Sequence, residues 1–316
     1  MLYLFIALAL VLALGWLTRR ESGAAPIPTD AAANPLITPL GETRIIAHRA
    51  GAGLAPENTL LAFQRCAAHR EYGVSALEFD LRASADGVPL VLHDPVLDRT
   101  SDARAHFGVS HVRARDRSYA ALRELNMGEM YQDGAGNRPY AGLRGGDIPD
   151  ALRILSLDQA LQELKKGDWQ GCPMDIKDRG ALGRRSADRV YELLKRHDYL
   201  DRAVVGSFHP GITRYLRRFP GLRRNAGPLE VLRLYLCAFL GVRRARFTFV
   251  TLDIPVKDYW LNLGTTRFLN YAHAHHIAVR YWTVNDPAVL RSLRDKGADA
   301  VMTDLPDLAR RIYRTS

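Results

Sequence analysis

Cysteine is scarce: the 316 residues hold three, Cys66, Cys172 and Cys237. An odd number so widely spread excludes a disulfide framework, and each reads as a small buried thiol in a reducing compartment. There is no G-x-S-x-G turn and no P-loop, which removes the serine-hydrolase elbow and the glycine cradle of nucleotide hydrolases. Acid is nearly missing from one stretch, Arg214 to Arg246, where nine arginines stand against Glu230 alone and account for most of the formal charge of +10. Those arginines flank an apolar run, Leu229–Leu240, so the stretch reads either as a membrane-facing surface or as a barrel helix with solvated flanks. Nucleic acid is not an expected partner, and nothing points to an obligate protein partner.

Positive charge is also lacking ahead of the first apolar run, Leu2–Leu17, sixteen residues long and followed by Arg19-Arg20. As a helix it would span ~24 Å, slightly short of a hydrocarbon core of ~30 Å. Without a basic leader it reads as a membrane anchor in preference to a cleaved signal, and the arginines behind it place the next domain on the cytoplasmic side in preference to the external one. The expectation is a single-pass protein of the inner or plasma membrane. Residues 1–20 form the anchor, 21–42 a linker with four prolines and no periodicity, and 43–316 the folded domain.

What is present in that domain is alternation. Strand-like runs at 44–48, 76–81, 173–177, 203–208, 223–226, 248–254, 278–284 and 300–303 are separated by helical patterns, which predicts parallel βα units. Eight of them predict an α/β fold, a TIM (β/α)8 barrel, preceded by the transmembrane helix. Asp86-Gly87 opens a hairpin after the second strand. Residues 97–149 then form a small insertion that walls the pocket.

Chemistry-bearing residues cluster at the strand ends. Glu78 and Asp80 are two apart on a strand and face the same side, as do Asp175 and Lys177 on the next core strand. Three carboxylates converging in a barrel interior repel unless a hard divalent cation, Mg²⁺ or Ca²⁺, neutralises them. His48 and His93 are candidates for proton transfer, and Arg49 and Lys177 for gripping a phosphoryl group. Asp94 reads as a turn cap, Asn58 as a helix N-cap, and His273, His275 and His276 as polar groups on the solvent side of a helix.

The order H-R-x-G from His48, Pro56-Glu57-Asn58-Thr59, Glu78-x-Asp80, His93-Asp94, Met174-Asp175-Ile176-Lys177, Ser207-Phe208, Trp282-Thr283-Val284-Asn285 and Thr303-Asp304-Leu305-Pro306 resembles the glycerophosphodiester phosphodiesterase family from about Thr43 to the C-terminus. The resemblance implies a divalent metal on Glu78, Asp80 and Asp175, and acid/base work by His48 and His93. It also implies phosphate contacts from Arg49 and Lys177, and Trp282 lining the pocket. Two departures stand out. Ala50 replaces the family's usual glycine and calls for an ordinary φ, with Gly51 and Gly53 left to supply backbone freedom. Asp175 replaces a glutamate and is expected to alter metal affinity. The expected reaction is hydrolysis of a small-molecule phosphodiester to glycerol 3-phosphate and an alcohol. The attacking group is either water or the substrate's own neighbouring hydroxyl. A lysophospholipid substrate drawn from membrane lipid, giving lysophosphatidic acid, is the alternative, and a non-catalytic lipid or phosphate binder is the rival from another class.

Overall fold

The computed structural model describes residues 34–258 and 261–314. Among them the strands are, in chain order, β1 (Arg44–Ala47), β2 (Val74–Leu77), β3 (Phe79–Ala83), β4 (Pro89–Val91), β5 (Cys172–Ile176), β6 (Ala203–Gly206), β7 (Thr251–Ile254), β8 (Lys257–Asp258), β9 (Leu261–Asn262), β10 (Ala278–Tyr281) and β11 (Ala300–Thr303). Two arcs form. One runs β2-β1-β11-β10-β7 and the other β4-β3-β5-β6, with β8-β9 as a separate two-stranded ribbon. Within the arcs every pair is parallel except β3 with β4, which is the hairpin expected around Gly87.

The fold is of TIM-barrel type, but its ladder is not one closed sheet. At one seam the chain itself joins the arcs, because β2 runs into β3 through Glu78, whose amide still donates to Ala47 O (3.0 Å). At the other seam the expected fifth strand shrinks to two isolated bridges, Val205 with Arg224 and Asn225 with Thr251. Pro220-Gly221 and Gly227-Pro228 bracket that segment, and residues without an N–H or without a side chain to pack do not extend a ladder.

Helices cover the outside. Those at Leu60–Ala68, Leu157–Leu164 and Thr266–His273 start on Thr59, Ser156 and Thr265, each of whose hydroxyls accepts a first-turn amide. Those at Pro210–Leu216, Pro228–Leu240 and Pro287–Asp295 start on proline, whose fixed φ suits a first turn and whose missing N–H costs nothing there. The insertion builds a small core from Leu97, Leu122 and Leu125, packed with Ile154 over Leu90. All three cysteines are free, two of them buried.

Two expectations change at the N-terminal side. Residues 34–38, read as linker, are packed against the barrel: Asn34 Nδ2 donates to Val250 O and His276 O (both 2.9 Å), and Leu36 and Ile37 pack on Val204 and Ala278. The single-pass inner or plasma membrane assignment is corrected to one without support: among the described residues no helix is long and apolar enough to cross a membrane. The longest, Gly180–Arg196, has 17 residues and carries Arg184, Arg185, Asp188 and Arg189 along its middle. The run Leu2–Leu17 that prompted the assignment lies outside the described residues. His273 is also not on the solvent side. Its Nε2 is 2.8 Å from the fully buried Asp299.

If the insertion core is integral to the domain, Leu122→Ala should lower unfolding stability by about 2–5 kcal/mol, read as a lower urea midpoint with an unchanged slope.

Candidate active site

The strand ladder decides which carboxylates meet. Asp80 on β3 and Asp175 on β5 are partners in register, so their side chains emerge side by side at the C-terminal rim. Lys177 lies two residues beyond Asp175 on the same face, and its ammonium reaches both, at 2.9 Å from Asp80 Oδ1 and 2.6 Å from Asp175 Oδ2. Burial alone would raise the Asp80 carboxyl, but the charge of Lys177 and the neighbouring cations hold it below the ordinary value. Asp175 is raised, because burial outweighs its contact with Lys177. Glu78 is pushed up to about 7, first by burial and then by the charge of Asp80.

The loop after β1 is bent sharply. The ordinary φ expected at Ala50 is not adopted: Arg49, Ala50 and Gly51 have φ of 50°, 61° and 102°. Left-handed backbone at a non-glycine residue costs of order 1–3 kcal/mol and persists where surrounding contacts over-determine it. Here Glu78 supplies them, its Oε2 accepting the Arg49 amide (2.8 Å) and its carbonyl accepting the Ala50 amide (2.8 Å). Gly53 brings the same loop against Asp304, donating to its carbonyl at 3.1 Å. A Cβ on Gly53 would stand 2.4 Å from that oxygen.

That approach sets the first histidine. His48 Nδ1 is 2.7 Å from Asp304 Oδ1, and Asn285 Nδ2 donates to Asp304 Oδ2 (2.7 Å). Burial would lower the His48 pKa, yet the hydrogen bond to Asp304 and the charges of Glu78 and Asp304 leave it raised. The second histidine is arranged alike, with His93 Nδ1 at 2.6 Å from Asp94 Oδ1. Asp94 is therefore the imidazole's partner and more than a turn cap. Arg99 holds it through Nε (2.5 Å) and turns its other nitrogens to Glu57, whose Oε1 also accepts from Arg49 (2.9 Å). Asp94 is lowered to about 2: burial opposes the shift, and the hydrogen bonds from Arg99 and His93 prevail.

All eight residues singled out in the sequence, His48, Arg49, Glu78, Asp80, His93, Asp175, Lys177 and Trp282, line one cavity of about 210 Å³. Trp282 meets Phe208 edge to face at 5.7 Å between centroids, and the Lys177 ammonium lies 5.3 Å from the Phe208 ring centre. The partners Asp304, Glu57, Arg99 and Asn285 received no role from sequence, although Asp304, Glu57 and Asn285 sit inside the motifs quoted above. Asn58 is not the helix cap, a task taken by Thr59. It has φ 58° and donates to Asp80 Oδ2 at 3.1 Å.

Among the described residues no three His, Cys, Asp or Glu side chains are gathered closely enough to hold a metal ion as they stand, since the Lys177 ammonium lies between two of the carboxylates. The donor chemistry nonetheless fits a hard divalent cation. All three candidate ligands are carboxylates, and raised Glu78 and Asp175 are the mark of buried negative charge short of a counter-ion.

At the rim of this barrel two carboxylate-backed imidazoles stand beside a carboxylate cluster, a lysine and an arginine, a set suited to exchanging protons with a phosphate ester and holding its charge. The Glycerophosphoryl diester phosphodiesterase family matches residues 48–308, and the chain belongs to it. Glycerophosphodiester phosphodiesterase 1 of Bos taurus is 36% identical to this chain, the match covering 82% of it and 77% of the relative. The glycerophosphodiester phosphodiesterase of Bacillus altitudinis is 24% identical over 85% of this chain and 98% of its own length. Among solved structures, one from Silicibacter pomeroyi shares the fold at a TM-score of 0.69, with 25% identity over 88% of this chain and 95% of that one. A phosphodiesterase from Oleispira antarctica, solved with the product sn-glycerol-3-phosphate, has the same fold at a TM-score of 0.64 and 21% identity, covering 90% of this chain and 99% of that one.

Because Asp304 raises the His48 pKa, Asp304→Asn should lower it. NMR titration of the imidazole in metal-free protein reads the shift, and an unmoved or higher midpoint would refute the assignment of Asp304 as the group that polarises His48.

Proposed function

We propose that the enzyme hydrolyses glycerophosphodiesters to glycerol 3-phosphate and an alcohol, with His48 and His93 as the proton-transfer pair. The observation that carries this reading is the matched backing of the two imidazoles. Each gives Nδ1 to a carboxylate, Asp304 or Asp94, which fixes the ring and leaves Nε2 for exchange with substrate. One takes the proton of the attacking hydroxyl or water while the other returns one to the leaving oxygen. Arg49 and Lys177 bring positive charge to the phosphoryl oxygens, and Trp282 bounds the substrate. Glu78, Asp80 and Asp175 would hold a divalent cation, Mg²⁺ or Ca²⁺, which when bound stabilises negative charge developing on phosphoryl oxygens.

A second reading is favoured by one feature. An apolar cavity of about 420 Å³ shares Asp175, Phe208, Asn225, Asp253 and Trp282 with the catalytic one and is walled by Leu229, Leu232 and Tyr235. It offers room for an acyl chain, so the same chemistry would act on lysophospholipids as a lysophospholipase D and release lysophosphatidic acid.

His48→Ala and His93→Ala should each lower kcat on glycerophosphocholine by roughly 10²–10⁴-fold. Chelation should abolish the parent activity, and Mg²⁺ or Ca²⁺ should restore it. Parent-like turnover in both variants, insensitive to chelator, would defeat the reading. For the second reading, Leu232→Asp should reduce kcat/KM for lysophosphatidylcholine more than for glycerophosphocholine. Equal effects on the two substrates would count against an acyl site.

A further inference from the structure

A third cavity, of about 410 Å³, meets the catalytic one at Lys177. Its wall is made by chain leaving the same rim. Arg82 comes from β3, Arg113 and Arg115 from the insertion, Asp178 and Arg179 from the turn after β5, and His209 follows β6. With Lys177 these supply five permanent positive charges against one carboxylate, Asp178.

The carboxylate is already saturated. Asp178 Oδ2 accepts from the Ala83 amide (2.7 Å) and the Ser186 hydroxyl (3.3 Å), while Oδ1 faces Arg82 (3.4 Å). Arg82 is committed as well, its Nε donating to His93 O at 2.6 Å. Arg113 and Arg179 are different: both are exposed, and neither has a carboxylate partner among the described residues. The arginine-rich stretch 214–246 offers a contrast, since Glu230 takes both Arg217 and Arg224 there. Two unpaired guanidinium forks on the wall of one recess, beside the lysine of the reaction centre, suit a compact anion that accepts several N–H groups at once.

We propose that this recess is a subsite for an anionic group, a phosphate or carboxylate carried on the alcohol portion of the diester, and that it biases the enzyme toward acidic head groups. The inference rests on the diesterase reading and adds substrate choice to it. His93 ties the recess to the chemistry, since Arg82 holds its carbonyl and Pro95-Val96 carry the chain from His93-Asp94 into the wall.

The test compares glycerophosphoinositol with glycerophosphoinositol 4-phosphate, which differ by one phosphate on the head group, in the metal-supplemented full chain. The parent should favour the phosphorylated substrate. In R113A/R179A the ratio of kcat/KM values should fall roughly tenfold or more, mainly through KM. R291A, which removes a charge from the helix Pro287–Asp295, should keep the parent ratio. A parent ratio near one, or a ratio unchanged in R113A/R179A, overturns the subsite while leaving the diesterase reading intact. Hydrolysis of neither substrate overturns the subsite where glycerophosphocholine is still cleaved, and overturns the diesterase reading itself where glycerophosphocholine is not cleaved either. Binding of inorganic phosphate that is lost in R113A/R179A, alongside a parent ratio near one, makes the recess a site for free anions and also overturns the proposal.

Discussion

The contact on which the site depends is the Lys177 ammonium between Asp80 and Asp175. Strand register puts those two carboxylates next to each other whether or not their charges agree, and two like charges ~4 Å apart repel by about 4 kcal/mol at an effective dielectric of about 20. Lys177, placed by strand periodicity on the same face, reaches both oxygens and removes most of that cost. Burial would lower its own pKa, yet the two carboxylates leave it raised. Glu78 lies outside this clamp. Burial and the charge of Asp80 raise its carboxyl, and that deficit of positive charge, more than any preformed cage, is the physical case for a divalent cation.

Glu78 has a second task that explains why the deficit persists. The same residue that is short of a counter-ion holds Arg49 and Ala50 in left-handed backbone, through its side chain and its carbonyl. Relaxing the carboxylate would release the loop that carries His48. On the far side, the chain of contacts His93, Asp94, Arg99, Glu57, Arg49 links the second imidazole to the arginine proposed to hold phosphate. Each imidazole thus answers to a carboxylate, and both carboxylates are fixed by donors outside the cavity. Both imidazoles are held by these hydrogen bonds, and under the proposed function Lys177 and a bound cation would compete for the same carboxylate oxygens.

Period-two spacing made Asp175 with Lys177 legible, because a strand leaves no choice of face; Glu78 with Asp80 reads the same way, and although Glu78 stands at the break between β2 and β3 both line the cavity. The strand-end position of His48 and His93 was legible for the same reason. What escaped was whatever depends on long-range closure. Asp304 lies 256 residues from His48, and only the return of β11 beside β1 brings them together. Asn58 has the local signature of a helix cap, and Thr59 beside it has the same signature. The choice between them follows from the left-handed turn that points Asn58 at Asp80. Residues 34–38 lack periodicity because they pack by single side chains against the barrel. The fifth strand is weak in sequence and weak in fact, since prolines and glycines on both sides leave it two bridging residues.

The charge of +10 is a poor guide to what the enzyme binds until it is divided by location. At physiological salt, exposed charges separated by more than ~8 Å are largely screened. Most arginines of the 214–246 stretch are therefore largely screened from a bound substrate, and Glu230 pairs with two of them at contact. A bound substrate senses the charges on the walls that touch it. Those walls differ in kind: leucines and a tyrosine on the side reached past Trp282, and arginines on the side reached past Lys177. The candidate site therefore sits between an apolar and a cationic wall. A diester is a molecule with two unlike arms on one phosphorus, and the fold presents unlike surfaces on the two sides of the cavity proposed to hold that phosphorus.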